Sequence, residues 1–258
     1  MSTTTSSLPR PIGAPLHRPS TPTGIPPLSA YRGENQENQN NSSDNNDNTK
    51  QQLSFGVVCS SNINRSMEAH LVLNNAGLQC ASYGTGTQVR LPGRTAMEPK
   101  IFKFGTPYSE MYNSLSQNPT DAQYFYRNGV LQLCQRGAAV KQSPTRWQDC
   151  TTVNEHDVVI CFEERIFDAV IEDLQNRDPT TDFHEMHIIC LDTKDNPTEA
   201  ALSGQVCLDL CWRLQQSCSS PDSSAVGFAE NVATIIDQFQ QERASVTPIK
   251  VLYQLCYL

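Results

Sequence analysis

The chain has 258 residues, and its 19 Lys and Arg against 27 Asp and Glu give a formal net charge of -8. Basic and acidic side chains balance within residues 1–50, so the whole negative excess lies on residues 51–258. Nucleic-acid binding needs a basic face that replaces phosphate counterions, so this composition argues against direct nucleic-acid binding. No run approaches the roughly 18 apolar residues of a membrane-spanning helix, and the N-terminus lacks the apolar core of a signal peptide. We therefore expect a soluble intracellular chain that does not bind membranes.

The N-terminal segment differs in composition from the rest of the chain. Residues 1–50 hold many Pro, Ser, Thr and Asn and few large apolar side chains. Such a segment cannot bury enough apolar surface to offset the entropy that is lost on ordering. We predict a disordered tail over residues 1–50 and a folded domain over residues 51–258.

The ten cysteines are scattered through apolar runs rather than arranged in a disulfide framework. A chain of this length does not need disulfides to supplement its core, so we expect reduced thiols. Cys207, Cys211 and Cys218 recur on one face of a predicted helix, and no His stands at ligand spacing. We interpret them as small core side chains rather than a zinc site, and we predict no metal and no other cofactor.

From residue 55 onward, short apolar runs alternate with amphipathic stretches. The predicted strands are 55–59, 78–83, 157–161, 186–191 and 249–258. The predicted helices are 66–76, 106–115, 122–135, 166–174, 196–217 and 228–243. Two helix starts have cap signals, since Thr106 and Asn196 each precede a proline. Apolar strands separated by helices predict an α/β fold, doubly wound, with a mainly parallel sheet flanked by helices.

The loop after the first predicted strand carries the most informative motif. In sheets of this kind, sites form at the carboxyl ends of the strands. Cys59 and Arg65 form a C-x5-R motif that Ser66 follows, between a strand and a helix. A loop of this length can wrap its amide groups around an oxyanion, and the helix N-terminus adds a positive dipole. The residues predicted to hold the oxyanion are Ser60, Ser61, Asn62, Ile63, Asn64 and Ser66.

This loop predicts a reactive thiolate at Cys59. Arg65 supplies a planar fork suited to two phosphate oxygens, and Ser66 is placed to contact the Cys59 sulfur. Asn62 and Asn64 are expected to hold the shape of the loop. The alternative, a core thiol at Cys59 and a surface charge at Arg65, is disfavoured by the strand before the loop and the helix after it.

A thiolate that attacks phosphorus needs an acid for the leaving oxygen and a base for the water that follows. The strand that ends near residue 191 leads to Asp192 and Asp195. Asp195 lies in the loop and is free to reach a neighbouring site, whereas Asp192 is nearer the strand end and is equally suited to orienting the loop. The alternative for each residue is an ordinary turn carboxylate without a catalytic role.

The segment Val57 to His70 resembles the signature of the Ssu72 family, phosphatases of the C-terminal repeat of RNA polymerase II that are related to low-molecular-weight tyrosine phosphatases. The resemblance covers essentially residues 54–258. Further matching segments are Tyr83-Gly-Thr-Gly-Thr87, Leu91-Pro-Gly93, Met111-Tyr-Asn113, Asn128-Gly129, Glu163-Glu-Arg165, Glu172-Asp-Leu174 and Asp192-Thr-Lys-Asp-Asn196.

The resemblance implies that Cys59 is the nucleophile, that Arg65 binds the phosphate and that Asp195 is the general acid, with Asp192 as a further candidate. The substrate it implies is phosphoserine at the fifth position of the heptad Tyr-Ser-Pro-Thr-Ser-Pro-Ser, followed by a cis proline. The substrate-side residues that it implies are Leu91, Pro92, Gly93 and Leu133.

The resemblance also implies a nuclear protein, bound to a helical-repeat scaffold of the complex that cleaves and polyadenylates messenger RNA. Two alternatives remain. A low-molecular-weight tyrosine phosphatase usually has Asp-Pro-Tyr in the acid loop, where this chain has Asp195-Asn-Pro. A non-catalytic scaffold of the processing complex is disfavoured because Cys59, Arg65 and Asp195 are all present.

Overall fold

The structure is a computed structural model that describes residues 52–95, 97–178, 184–218, 225–244 and 248–257. The predicted tail over residues 1–50 lies outside the described residues. None of the described helices is long and apolar enough to cross a membrane.

A five-stranded sheet forms the centre of the fold, and a separate two-stranded hairpin lies beside it. The strands are β1 Ser54–Cys59, β2 Gln79–Gly84, β3 Val89–Leu91, β4 Lys100–Phe102, β5 Val158–Cys161, β6 Glu185–Leu191 and β7 Val251–Tyr257. The order of the large sheet is β2-β1-β5-β6-β7, in which the first four strands are parallel and β7 is antiparallel to β6. The predicted α/β fold with a mainly parallel sheet is confirmed.

The described residues form seven α-helices, and a 3-10 helix spans Val153–Glu155. The α-helices are α1 Arg65–Asn75, α2 Tyr108–Ser116, α3 Pro119–Arg127, α4 Val130–Val140, α5 Glu164–Gln175, α6 Pro197–Cys218 and α7 Ala225–Ala244. The predicted cap of α6 is confirmed, because the Asn196 Oδ1 accepts a hydrogen bond of 2.9 Å from the Glu199 amide. The predicted cap at Thr106 is wrong, because α2 begins at Tyr108 and its N-cap is Pro107.

The single helix that the sequence predicts over residues 122–135 is two helices, α3 and α4. Gly129 lies between them with a φ of +77°, in the left-handed region that ends a helix. Asn118 caps α3, since its side chain accepts a hydrogen bond of 2.9 Å from the Thr120 amide. The β3–β4 hairpin was not predicted, because strands of three residues are too short to show an alternating pattern.

An apolar cluster covers each face of the large sheet. Helices α1, α6 and α7 cover one face, where Val57 packs with Leu210 and Phe239. Helix α5 covers the other face, where Val58 packs with Val170. Because successive strand residues point to opposite faces, β1 is buried on both sides and its carboxyl end is held rigidly.

A third cluster lies in the cap, which we define as β3, β4, α2, α3 and α4. It buries Tyr108, Met111, Phe125 and Leu133 against Met67 of α1. The cap therefore packs on the helix that follows the cysteine motif.

All ten cysteines are described and all are free thiols. No group of three or more His, Cys, Asp and Glu among the described residues is placed to hold a metal ion.

Three histidines are buried in this fold. Burial lowers the pKa of His70, His156 and His187 to about 4 each. Lys141 adds a smaller lowering at His70, and His184 adds one at the other two. The folded chain therefore keeps these imidazoles neutral where the unfolded chain protonates them, since the usual pKa of His is about 6.5.

We expect the free energy of unfolding to fall as the pH drops from about 6.5 toward 4, because the unfolded chain then binds protons that the folded chain excludes. Each of the three histidines contributes up to about 1.4 kcal/mol per pH unit to this slope. Urea unfolding at a series of pH values measures it. The variant His156→Gln should show a shallower slope than the wild type, whatever its absolute stability. A stability that is unchanged from neutral pH down to about pH 5 would contradict the prediction.

Candidate active site

The cysteine loop, which we define as Cys59 to Ser66, joins the buried strand β1 to helix α1. Cys59 is 3% exposed, and its Sγ lies 3.0 Å from the Ser66 Oγ. The predicted contact between these two side chains is thereby confirmed. The loop places the sulfur at the N-terminus of α1, where the helix dipole favours negative charge.

Asn62 holds the centre of the loop in a left-handed conformation, with a φ of +54°. Its side-chain amide donates to the Ser66 Oγ at 3.0 Å, and its Oδ1 accepts a bond of 3.0 Å from the Thr145 amide. Its backbone carbonyl accepts a bond of 2.6 Å from the Tyr108 hydroxyl. The side chain is fully buried, so these bonds form without competition from water. The expectation that Asn62 holds the loop is confirmed.

The backbone carbonyls of the loop are bound from outside it. The amides of Thr85 and Gly86 donate to the carbonyls of residues 59 and 60, at 3.0 Å and 2.9 Å. Arg136 of α4 donates to the carbonyls of Ile63 and Asn64, at 2.7 Å and 2.9 Å. Together with the bond to Asn62, this leaves five loop carbonyls directed away from the loop interior.

The turn after β2 approaches the loop closely. A Cβ atom on Gly84 would lie 2.7 Å from the carbonyl oxygen of Ser60 and 2.9 Å from the amide nitrogen of Asn62. Glycine is required here because a larger residue would push the turn and the loop apart. The turn after β2 therefore packs directly against the cysteine loop.

Arg65 is buried, with a side chain that is 2% exposed, and is not a surface charge. One terminal nitrogen donates to the carbonyls of Phe162 and Thr193, at 3.0 Å and 2.8 Å. The other pairs with Glu163 at 3.0 Å and with Asp195 at 3.4 Å. The ends of β5 and β6 therefore fix the guanidinium group beside the cysteine loop.

The Nε of Arg65 has no hydrogen-bond partner among the described residues, although it is buried. A buried donor without an acceptor costs about 1–3 kcal/mol. An oxyanion held in the loop would supply the acceptor that this atom lacks. The unpaired Nε is therefore a second sign, besides the outward carbonyls, that the loop is built to hold an anion.

Asp195 reaches the loop, as predicted from its position after β6. Its Oδ1 accepts a bond of 3.0 Å from the Asn64 side chain, and its other oxygen faces Arg65. The carboxylate remains 56% exposed, so it is accessible to a substrate. Asp192 lines a cleft together with Arg65 and Asp195. Within the described residues, however, its carboxylate makes no hydrogen bond to the loop. The geometry thus distinguishes the two candidates and favours Asp195.

The predicted substrate-side residues differ in burial, since two lie inside the cap and one is exposed at its surface. Leu91 and Leu133 are buried in the cap cluster, with 1% and 8% exposure, whereas Pro92 is exposed. The Tyr124 hydroxyl contacts the Gly93 carbonyl at 3.4 Å. Elsewhere in the hairpin, the Arg90 amide donates to the Ser61 Oγ at 3.2 Å, and this bond joins the hairpin to the loop. Ser61 therefore supports the hairpin with its side chain.

Several residues of the site were missed from sequence. Glu163 binds Arg65 and follows β5, at the strand end where sites are expected, so the strand rule could have found it. Burial raises the pKa of its carboxyl, but the hydrogen bonds from Arg165 and Arg65 outweigh burial and hold the pKa below its usual value. Tyr108 and Arg136 lie on cap helices, and no local motif connects them with the loop.

Comparison with known proteins identifies this architecture. The family model described as "Ssu72-like protein" matches residues 53–258. The ssu72 protein of Schizosaccharomyces pombe, named as a phosphatase of the RNA polymerase II C-terminal domain, is 43% identical over 168 residues, which cover 65% of this chain and 83% of that protein. The corresponding phosphatase of Danio rerio is 36% identical over 205 residues, which cover 80% of this chain and 97% of that protein.

A solved structure of Ssu72 from D. melanogaster has the same fold. It contains Symplekin and a cis peptidomimetic of the C-terminal domain that carries phosphoserine at position five. It superposes with a TM-score of 0.71 at 28% identity, covering 80% of this chain and 99% of that chain. The family match spans the sheet, the cap and the cysteine loop. The chain belongs to the Ssu72 family.

Proposed function

We propose that this chain removes phosphate from phosphoserine in the C-terminal repeat of RNA polymerase II, through a phosphocysteine formed at Cys59. It is a protein phosphatase, because its relatives are named as phosphatases of that repeat. The observation that carries the proposal is the cysteine loop, whose carbonyls are bound from outside and whose thiol lies at a helix N-terminus. The buried guanidinium of Arg65 completes the anion site.

In the first step, the Cys59 thiolate attacks the phosphorus of a phosphoserine held in the loop. The S–P bond forms as the P–O bond to the serine oxygen breaks, and protonated Asp195 gives its proton to that oxygen. Arg65 and the loop amides bind the oxygens of the transferring phosphoryl group, where negative charge is concentrated. The hydrogen bond that Asp195 accepts from Asn64 of the loop supports this role.

In the second step, water attacks the phosphocysteine. The Asp195 carboxylate takes a proton from the water as its oxygen bonds to phosphorus, and the S–P bond breaks to release inorganic phosphate and the thiolate. The Ser66 hydroxyl, at 3.0 Å from the sulfur, stabilises the leaving thiolate by a hydrogen bond. The loop amides and Arg65 supply the charge stabilisation in both steps.

The fifth-position serine, followed by a cis proline, is the proposed substrate. The structure of the D. melanogaster relative with a cis peptidomimetic phosphorylated at that position supports this choice. A cis bond is a minor state of a free peptide, so the site selects it from the population. In this chain the exposed Pro92 and the adjoining Gly93 are proposed to contact the peptide, while the buried Leu91 and Leu133 support that surface.

The proposed partner is a helical-repeat scaffold of the cleavage and polyadenylation complex, and the proposed location is the nucleus. The structure of the relative with Symplekin supports a scaffold partner.

Two other functions remain as outcomes of the experiment below, namely a tyrosine phosphatase of the low-molecular-weight class and a scaffold without activity.

Heptad peptides phosphorylated at the second, fifth or seventh position, with a phosphotyrosine peptide alongside, test the reaction and the substrate together. We expect phosphate release from the fifth-position peptide alone. The variant Cys59→Ser should release none while still binding that peptide, because it removes the nucleophile and retains the loop. Phosphate release is measured with the full chain, and binding is measured by calorimetry.

Each alternative gives a distinct result. Preference for phosphotyrosine would retain the cysteine chemistry and reject the assignment to the polymerase repeat. Absence of turnover on every peptide would favour the scaffold, and turnover by Cys59→Ser near the wild-type rate would reject the phosphocysteine.

Tyr108→Phe is expected to weaken anion binding by the loop. The change removes the 2.6 Å hydrogen bond to the Asn62 carbonyl, which helps to hold the left-handed conformation. One buried hydrogen bond of this kind is worth roughly 1–1.5 kcal/mol, so the inhibition constant of inorganic phosphate should rise about tenfold. Inhibition by phosphate of turnover on the fifth-position peptide measures the effect.

Tyr112→Phe is the matched control, because this tyrosine lies on the same helix and its hydroxyl makes no hydrogen bond within the described residues. Phosphate should inhibit the control as it inhibits the wild type. Equal inhibition constants for Tyr108→Phe and Tyr112→Phe would show that the bond to Asn62 does not support the loop.

A further inference from the structure

Lys141 directly follows α4 and carries an ammonium group that no carboxylate neutralises within the described ranges. Its Nζ donates to the carbonyl of Ser82 at 2.6 Å and to the Thr145 Oγ1 at 3.0 Å. The side chain is half-buried, and among the described residues it forms no ion pair with Asp or Glu. A cation taken out of water without an anionic partner is costly, so this position calls for an explanation.

Both partners of Lys141 connect it with the cysteine loop. Ser82 lies on β2 opposite Val57, and Cys59 lies opposite Gly84 on the same pair of strands. The Thr145 amide donates to the Asn62 Oδ1 at 3.0 Å. The carbonyl of Thr145 accepts a bond of 2.9 Å from the Gly84 amide. The ammonium group therefore lies at the outer edge of β2, next to the Thr145 backbone that binds Asn62 of the loop.

The pKa of Lys141 responds to the charge of Cys59. Burial lowers the pKa of Lys141 to about 8, and a negative charge on Cys59 opposes that lowering. The other titratable groups that face the ammonium are His70, whose pKa it lowers, and the thiols of Cys80 and Cys150. The ring of Tyr83 also faces it, with its centroid 5.8 Å from the Nζ.

Two of these neighbours stay neutral, and Cys59 is the neighbour that lies in the cysteine loop. Cys80 lies part-way along β2, and burial holds its pKa well above the usual value, so that thiol stays neutral. The phenol of Tyr83 also stays neutral, because burial raises its pKa. Among the groups that face Lys141, Cys59 is the thiol at a helix N-terminus. A positive charge near the loop favours the thiolate over the thiol, and it also favours a phosphate dianion held in the loop.

We propose that Lys141 is a positioning residue of the active site, whose buried ammonium group is the counter-charge that keeps Cys59 in its thiolate form. The inference rests on the proposed function, since it assigns a task within that site. It gives Lys141 no contact with the substrate and no part in proton transfer. It predicts instead that removing the charge lowers the fraction of Cys59 that is reactive.

The first test is the rate at which iodoacetamide alkylates Cys59 at about pH 6, where only the thiolate reacts. Trypsin releases residues 51–65 as a peptide in which Cys59 is the only cysteine, so mass spectrometry follows this site alone. The variant Lys141→Met should be alkylated about tenfold more slowly than the wild type, because loss of a nearby opposite charge changes an ionisation equilibrium by about that factor. Lys141→Arg, which keeps the charge, should react within about twofold of the wild type.

Lys100→Met is the matched control, since it removes the same charge from an exposed lysine whose Nζ lies over the Phe125 ring in the cap. It should be alkylated at the wild-type rate. Equal rates for Lys141→Met and Lys100→Met, with thermal unfolding of both variants unchanged, would overturn the proposal.

A reciprocal measurement tests the proposal even if Lys141→Met does not fold. Carbon NMR of lysine labelled at Cε, with the Lys141 signal assigned from Lys141→Arg, gives the pKa of Lys141 in the wild type and in Cys59→Ser. The pKa should fall in Cys59→Ser by at least about half a pH unit, because the thiolate no longer opposes burial. An unchanged pKa would overturn the proposal. Neither measurement depends on turnover of a phosphopeptide, so failure here is distinct from failure of the proposed function.

Discussion

The left-handed backbone of Asn62 is the constraint on which the rest of the site depends. A non-glycine residue with positive φ is held by its surroundings, and here the bonds come from the Tyr108 hydroxyl, the Thr145 amide and Ser66. The turn at Asn62 lets the chain curl around an anion while its carbonyls point outward. With the carbonyls turned outward, the loop amides and the unpaired Nε of Arg65 are the donors that we propose to bind a phosphate. Without this turn, Cys59 would be a thiol at the end of a buried strand.

The sheet and the cap together hold this loop. The parallel sheet fixes the carboxyl ends of β1, β5 and β6 side by side, so that Cys59, Glu163 and Asp195 meet at one edge. The cap contributes Tyr108 and Arg136 from helices that pack on α1. Gly137 of α4 makes this packing possible, because a Cβ atom there would lie 2.5 Å from the ring of Tyr108. The apolar cluster of the cap thus sets the position of a hydroxyl that holds the loop.

The features predicted from sequence are those encoded by neighbouring residues. A buried strand, a C-x5-R loop and a helix follow one another directly along the chain, so periodicity and spacing located Cys59, Arg65 and Ser66 together. The cap was harder to predict from sequence, because β3 and β4 are short and a single glycine with positive φ divides α3 from α4. Glu163 was missed because a charged residue after a strand is common, and its bond to Arg65 forms only once the sheet is built.

The central claim is that Cys59 carries the phosphoryl group between two half-reactions. Rapid acid quench of the wild type during turnover of the fifth-position phosphopeptide, followed by trypsin and mass spectrometry, tests this directly. We expect a phosphorylated peptide of residues 51–65 that appears before inorganic phosphate reaches its steady rate and is absent in Cys59→Ser. Turnover at the full rate with no phosphate on that peptide at any quench time would contradict the account.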